Sequence, residues 1–320
     1  GCAQDTVMRI DCLLTWLKTT RIQTGLVTSL ALWVGYVSVE PLDLRSTLFL
    51  GVIELSFHIF GFTLNEVKDA EYDASIGNGS VHPIARGDVG KDKARYLYDK
   101  YSKTHWWSNI YLSTWAGMMA LSGSLHAGSP NIITAAIIGI ISTQIFVQVM
   151  QGDLKDLTGE EESVCRTLGE DLKSGNDYIN NKLDISLEHQ DFSINEGVIT
   201  YTKKFVALVY FIKSIEISLL LFIVSKFIDT SSIYVSAYLV LYFLTFISFV
   251  TSLSMFMVWV YDREYIKKYS SIHELSAIVL VGLTIFTIDP RSGVVIATAP
   301  VIWYIIMNKI LHSGPLNPDV

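Results

Sequence analysis

The chain contains few cysteines and few charged residues. Its 320 residues include only 3 cysteines, and charged residues make up 17% of the chain. Cys2, Cys12 and Cys165 are too few and too scattered for a disulfide framework or a zinc site. No basic stripe with interleaved aromatic residues is present, so nothing supports a nucleic-acid partner. Since 50% of the residues are hydrophobic, the composition argues against an ordinary soluble domain.

Long apolar runs recur along the chain. About 20 consecutive apolar residues are enough for a helix to cross the hydrocarbon core of a bilayer. Eight runs approach or exceed that length, which predicts an all-α integral membrane protein. The predicted spans are residues 22–39, 46–64, 106–124, 131–150, 205–225, 233–260, 272–288 and 293–311.

Basic residues predict how the spans are oriented. With the N-terminus inside, all but four of the 24 Lys and Arg residues fall on inside segments. Arg45, Lys226 and Arg291 are on outside turns, and Lys213 lies within a span. Because short cytoplasmic loops carry the excess of Lys and Arg, the longer connecting loops are predicted to face the cytoplasm.

The pattern of spans divides the chain into three parts. Residues 1–21 are predicted to form an interfacial or amphipathic segment. Residues 22–311 form the transmembrane domain, and 312–320 a polar tail. The inside loops are long and the outside turns short, so only the cytoplasmic face has enough chain to build a site. The inside loops are 65–104, 151–204 and 261–271.

One acidic motif occurs twice, each time where an apolar span ends on the inside. The copies are residues 65–73 and 152–160. A carboxylate at the centre of a membrane helix costs about 2.5–3.5 kcal/mol on insertion scales, so such clusters indicate a functional site. On a helix, side chains three, four, seven or eight positions apart share a face. The polar residues that share a face are Asn65, Asp69 and Asp73 in the first motif, and Asp153, Asp156 and Glu160 in the second.

Two such carboxylate faces suit magnesium. Mg²⁺ prefers oxygen ligands and usually keeps waters or substrate phosphate oxygens in its coordination shell. A metal-bound diphosphate beside a membrane chamber predicts a prenyl diphosphate substrate, whose lipid tail lies among apolar helices. The polar and basic residues predicted to hold the diphosphate are Asn65, Lys68, Arg86, Lys91, Lys155 and Arg263.

Both motifs resemble those of a known family. Residues 65–73 are similar to the first Asn-x3-Asp-x3-Asp motif of the UbiA superfamily of intramembrane prenyltransferases, and residues 153–160 are similar to its second motif. Between them, residues 82–87 resemble the family's Arg-Pro-Leu/Ile-x-Ser-Gly stretch. His82 stands where the family usually has Arg, and Glu160 where Asp is common.

The resemblance implies a bundle of eight or nine transmembrane helices around a central cavity that opens to the cytoplasm. It also implies Mg²⁺ as cofactor and transfer of a prenyl group to an acceptor, most commonly an aromatic or quinone precursor, with lipid or tetrapyrrole as alternatives. A terpene cyclase of the same superfamily and a non-catalytic transporter or lipid-binding protein remain alternatives. A CDP-alcohol phosphotransferase is disfavoured because its Asp-Gly-x2-Ala-Arg stretch is missing.

Ionisable residues within the spans are further candidates. At about 100° per residue, Glu54 and His58 point the way Asn65 points. We predict one of them as a base or hydrogen-bond partner for the acceptor, although a Glu–His packing pair is an alternative. Lys213 and Glu216 are predicted to form an internal ion pair, with a role in the cavity as the alternative. A glutamine stripe, Gln144, Gln148 and Gln151, is interpreted as hydrogen-bonding between helices, and lining the cavity is the alternative.

Overall fold

The computed structural model describes residues 14, 17–18, 20–75, 107–157, 192–195, 198–201, 203–258 and 263–312. Most of the N-terminal segment 1–21 and residues 313–320 of the tail lie outside the described residues. The elements in chain order are a 3₁₀ turn Ile22–Thr24, α1 Gly25–Thr28, α2 Leu30–Val37, α3 Leu44–Ser75, α4 Trp107–Ala127, α5 Ile132–Leu157, β1 Phe192–Asn195, β2 Val198–Tyr201, α6 Lys203–Phe227, α7 Val235–Met257, α8 Arg263–Phe286 and α9 Pro290–His312.

The protein is a helical, multi-pass membrane protein. Within the described residues, five helices are long and apolar enough to cross a membrane, and they lie in α3, α6, α7, α8 and α9. The other predicted spans, 22–39, 106–124 and 131–150, are also mainly helical. A count of eight or nine spans stays a prediction.

The helical fold class is confirmed for the described residues, which contain one antiparallel hairpin besides the helices. In it Phe192 pairs with Tyr201 and Asn195 with Val198. This hairpin lies inside the predicted polar loop 151–204. The predicted loop 261–271 is largely helix, since α8 begins at Arg263. The first span is not one continuous helix but a 3₁₀ turn and two α-helices.

The helices pack on one another in a ring that returns to the first span. α2 packs on α4, α4 on α5, α5 on α6, α6 on α8, and α8 on α9. α9 returns to the first span, where the Trp303 indole N–H donates to the Ile22 carbonyl at 2.7 Å. α2 is buried along its whole length. Among the five helices long enough to cross a membrane, α8 is the most enclosed, with 67% of its apolar stretch buried, against 28% for α6, α7 and α9 and 17% for α3. α3, α6, α7 and α9 therefore turn most of their surface outward.

Hydrogen bonds join three short turns at one end of the bundle. The Asn131 side-chain amide donates to the Ser38 carbonyl at 2.8 Å, and the Ser38 and Thr134 hydroxyls lie 2.7 Å apart. The Leu42 N–H donates to the Ser292 hydroxyl at 2.9 Å. We call this the turn end. Because α3, α5 and α9 all begin there, all three run in the same direction.

Two glycines let α2 and α4 cross closely. A Cβ atom built on Gly35 would lie 1.9 Å from the Ala120 carbonyl oxygen, and one on Gly123 would lie 2.1 Å from the Leu32 carbonyl oxygen. Both obstacles are backbone atoms, which a rotamer change does not relieve. Small residues at a crossing let membrane helices pack by close backbone contact. This crossing fixes α4, and through it α5, against the first span.

Substitution at that crossing is therefore expected to destabilise the bundle. Gly35→Ala or Gly123→Ala forces the helices apart and lowers the free energy of unfolding by about 1–3 kcal/mol or more. The measurement is equilibrium unfolding of purified protein in detergent. Gly61→Ala in α3 is the control, because a Cβ at Gly61 meets nothing within 4 Å. An equal loss in all three variants would contradict the close crossing.

A carboxylate caps the start of α3 and generates a pH prediction. The Ser46 N–H donates to the Asp43 carboxylate at 2.6 Å, and this bond, with a second from the Ser46 side chain, holds the pKa of Asp43 below its usual value. A lowered pKa means that the cap contributes above the unfolded pKa of about 4. Its contribution is lost as the pH falls through the folded pKa.

We therefore compare Asp43→Ala with Asp43→Asn, since Asn caps helices about as well as Asp. Thermal melting in detergent is expected to rank wild type and Asp43→Asn above Asp43→Ala at pH 7. The difference in melting temperature between wild type and Asp43→Ala narrows below about pH 4. The difference between Asp43→Asn and Asp43→Ala does not change with pH. A pH-independent wild-type gap would rule out the ionised cap.

Candidate functional site

Both acidic motifs lie at the end of the bundle opposite the turn end. α3 and α5 each start at the turn end. α3 continues as helix through the first motif to Ser75, and α5 continues through the described part of the second motif to Leu157. Asn65 stands 21 residues after Leu44, and Asp153 stands 21 residues after Ile132. At 1.5 Å per residue each motif begins about 32 Å along its helix. The two motifs are therefore at matching heights, just beyond the roughly 30 Å hydrocarbon core.

The helical backbone places the first motif on one face, but the motif side chains are outside what is described. The metal-site residues whose side chains are not described are Asn65, Asp69, Asp73, Asp153 and Asp156. The side chains of the predicted diphosphate residues Lys68, Lys155 and Arg263 are not described either. Glu160, Arg86 and Lys91 lie outside the described residues altogether. Among the residues whose side chains are described, no group of three or more His, Cys, Asp or Glu could hold a metal ion.

One face of α3 packs against the protein ahead of the first motif. Glu54 and His58, on that face, are 1% and 4% exposed. Phe57 and Phe60, on other faces, are 52% and 58% exposed. Position 65 lies about 20° from position 58 at 3.6 residues per turn, so the helical register places it in line with that face.

His58 is held between two oxygen atoms of the first span. Its Nε2 lies 3.0 Å from the Arg21 carbonyl oxygen, and its Nδ1 lies 3.2 Å from the Thr28 hydroxyl. The carbonyl only accepts, so Nε2 carries a proton. The Thr28 hydroxyl, which has one proton, lies within reach of both His58 Nδ1 and the Gly25 carbonyl, at 3.2 and 2.8 Å. The Phe62 ring lies 4.4 Å from the imidazole. These contacts make His58 a link between α3 and the first span.

Glu54 has spare hydrogen-bonding capacity. Its carboxyl atom Oε2 is buried with no hydrogen-bond partner. A carboxyl group left without a partner in an apolar environment is destabilising. Glu54 stands ten residues into α3, about 15 Å from the turn end, or near mid-depth. Of the two predicted catalytic residues, Glu54 is the one with an atom free to bind another group.

The first span is interrupted beside His58. Arg21 adopts a left-handed backbone conformation with φ of 47°, and a 3₁₀ turn and a single α-helical turn follow. Hydroxyl groups satisfy the local carbonyls: Thr24 donates to Arg21 at 3.0 Å and Ser29 to Gly25 at 3.1 Å. Side-chain donors of this kind stabilise irregular backbone at membrane depth.

A second buried polar cluster links α5, α6 and α8, and we call it the interhelical network. The Lys213 ammonium donates to Glu216 at 2.8 Å and also to the Gln144 side-chain carbonyl. The Gln148 amide donates to Glu274. Lys213 and Glu216 are 1% and 0% exposed, so the predicted ion pair is present and fully enclosed. Gln144 and Gln148 make the predicted hydrogen bonds between helices.

Two members of this region escaped the sequence analysis, both on α8. His273 is fully buried, and its Nδ1 lies 2.9 Å from the Phe249 carbonyl oxygen. Glu274 is the partner of Gln148. The available signal was the rule that ionisable residues inside a span are functional candidates. His273 and Glu274 were nevertheless missed, because the inside loop was predicted to extend to residue 271 and both residues then fell at the edge of a span.

The buried ion pair generates a stability prediction. Lys213→Met alone leaves Glu216 buried without its cation, which is expected to lower the free energy of unfolding by about 3–5 kcal/mol. The double variant Lys213→Met with Glu216→Leu removes both charges and is expected to recover most of that loss. Unfolding titrations in detergent measure both. Ser218→Ala on α6, whose exposed hydroxyl bonds only within the helix, is the control, and a strictly additive double variant would contradict the pairing.

The comparisons with known proteins identify no relative. No family model, no curated protein and no solved structure matches this chain. The site is therefore assigned from its own geometry and chemistry.

Proposed function

We propose that this protein is a Mg²⁺-dependent intramembrane prenyltransferase, which moves a prenyl group from its diphosphate to a small-molecule or lipid acceptor. The acceptor expected first is an aromatic ring or quinone precursor. The site faces the cytoplasm in this proposal, since the basic residues concentrate on the motif side.

One observation carries the proposal. Two helices that both start at the turn end each carry one copy of the carboxylate motif, which begins about 32 Å further on. That position is where a membrane-bound tail ends and a charged headgroup begins. The oxygen-rich donors of the two motifs suit Mg²⁺, and no comparable pair of acidic motifs occurs elsewhere in the sequence.

The proposed reaction breaks the bond between prenyl C1 and the bridging diphosphate oxygen. The electron pair leaves with the diphosphate, and the acceptor supplies the pair that forms the new bond to C1. The acceptor then loses one proton. Bound magnesium supplies charge neutralisation on the departing diphosphate.

The protein's own residues have separable roles in this reaction. Asn65, Asp69 and Asp73 hold one metal, and Asp153, Asp156 and Glu160 the other. Lys68, Arg86, Lys91, Lys155 and Arg263 are proposed to stabilise the negative charge on the diphosphate.

Glu54 and His58 lie deeper on the same face of α3. With its unpartnered oxygen, Glu54 is the stronger candidate to bind the acceptor or take its proton. His58 holds the first span in place beside it. The apolar helices exclude water from the reactive prenyl group.

Cation transport is the second candidate function. It is favoured by the interrupted first span and by the buried, incompletely bonded Glu54 near mid-depth, because transporters bind ions beside broken helices at the membrane centre. A terpene cyclase shares the first step of the proposed reaction. It is distinguished by cyclic hydrocarbon products formed without an acceptor.

The proposal predicts that the motif carboxylates are essential. Asp69→Asn and Asp156→Asn are each expected to lower prenyl transfer by at least about 100-fold, because each removes a charged metal ligand. Chelation of Mg²⁺ should abolish the activity and its readdition restore it. Purified protein in detergent, supplied with a panel of prenyl diphosphates and acceptors, is assayed by mass spectrometry of the products.

The matched control is Glu71→Gln. Glu71 lies in the same helical segment but about 200° around α3 from Asp69, so its loss should leave transfer near the wild-type level. Prenyl transfer that persists in Asp69→Asn or after chelation would sink the proposal. Cation flux through liposomes without any prenyl product would favour the transporter.

A further inference from the structure

The interhelical network contacts α5 from the side opposite Asp153. At about 100° per residue, Gln144 lies about 180° and Gln148 about 140° around α5 from Asp153. Gln144 is bound by Lys213 of α6, and Gln148 is bonded to Glu274 of α8. Two hydrogen bonds to two different helices, one turn apart, therefore resist rotation of α5 about its axis.

The network is also close to the second motif along the helix. Gln148 precedes Asp153 by five residues, which is about 7.5 Å. Any rotation of α5 about its axis at Gln148 also rotates position 153, because the helix continues unbroken through Leu157. Apolar packing alone tolerates rotation better than directional hydrogen bonds do, and buried polar groups are known to fix register in helical assemblies.

The same contact orients α8. α5 and α8 are antiparallel across the Gln148–Glu274 hydrogen bond, since α5 starts at the turn end and α8 ends there. Position 263 precedes Glu274 by 11 residues, which is three turns and about 20°. Position 263 thus lies on the face of α8 that carries Glu274, near the height at which α5 ends at Leu157.

We infer that Gln148, Glu274, Gln144 and Lys213 are positioning residues for the second motif. They set the rotation of α5, and so the direction in which Asp153 and Asp156 point, and they hold the start of α8 beside that motif. This inference rests on the proposed function for its effect on magnesium, but the orientation of α5 is measurable without any catalysis.

The principal variant is Gln148→Leu, which keeps a similar volume and removes the hydrogen bond to Glu274. Gln148→Met is the milder second variant if the first does not fold. The rescue variant combines Gln148→Glu with Glu274→Gln and exchanges the donor and the acceptor. Thr143→Val is the control on α5, because the Thr143 hydroxyl bonds only to Gly139 and Ile140 of its own helix.

Two quantities are measured on each variant. The first is the distance distribution between spin labels at Leu157→Cys on α5 and Ile310→Cys on α9, by pulsed electron resonance, with the three native cysteines replaced by serine. Ile310 is 57% exposed, so it accepts a label. The second is the Mg²⁺ concentration that gives half-maximal prenyl transfer, in unlabelled protein.

Gln148→Leu is expected to broaden or shift the distance distribution and to raise the half-maximal Mg²⁺ concentration about tenfold or more, the scale typical of lost outer-shell support. The exchanged pair is expected to restore both, and Thr143→Val to change neither. An unchanged distance distribution, an unchanged Mg²⁺ requirement, or an exchanged pair that behaves like Gln148→Leu would each overturn the inference.

Failure of the proposed function is distinguishable from failure of this inference. If wild-type protein transfers no prenyl group under any condition, the proposed function is wrong. The inferred role at the magnesium site is then overturned with it. The label distances still report whether Gln148 fixes the rotation of α5.

Discussion

The hydrogen bonds at the turn end determine how the rest of the molecule is arranged. Asn131 and Thr134 bind Ser38, so the starts of α3 and α5 are held at one end of the bundle. The position of the acidic motifs follows from this alignment, because two helices that start at one end and carry their motifs equally far along bring those motifs to one height. Had one of these helices run the other way, its motif would lie at the opposite membrane surface, and the two could not share a ligand.

The cost of placing charge in hydrocarbon explains where polar groups are found. α3 extends for 32 residues, about 48 Å, which is well beyond the hydrocarbon thickness, so its motif emerges from the apolar region. The charges that remain inside are handled differently. Lys213 is enclosed with Glu216 and Gln144, and His58 is bonded to the Arg21 carbonyl. Glu216 Oε1 and His273 Nε2 also lack a partner, but each of these side chains makes another hydrogen bond within the bundle. Glu54 stands out as a functional candidate because its unpartnered oxygen lies on the helix that carries the first motif.

Much of the fold was predictable because it depends on local patterns. Apolar length located the helices, and the spacing of Asn65, Asp69 and Asp73 predicted that α3 continues through the first motif, which is confirmed. The break in the first span was not predicted, since it depends on a left-handed Arg21 and on a contact from His58, 37 residues away. The role of Glu274 was also missed, because a partner on α5 is set by tertiary packing and leaves no trace in spacing. Glu54 and His58 are both buried, but that they face one cavity with Asn65 stays a prediction. The sequence also did not indicate that both nitrogens of His58 lie close to backbone and hydroxyl oxygens near the first span.

The two groups of charged residues differ in what they are able to do. A site that binds and releases a diphosphate must exchange ligands with water, and the motif helices end where water is available. Lys213 and Glu216 are sealed within the bundle, at 1% and 0% exposure, so in this conformation they have no access to a soluble ligand. The ion pair lies within α6, and an enclosed pair of this kind contributes little net stability compared with apolar packing. Lys213 also donates a hydrogen bond to Gln144 of α5, and in the inferred role this directional bond favours one rotation of α5 over the others. A site built from side chains on two separate helices needs that constraint, because a few degrees of rotation would move one set of ligands away from the other.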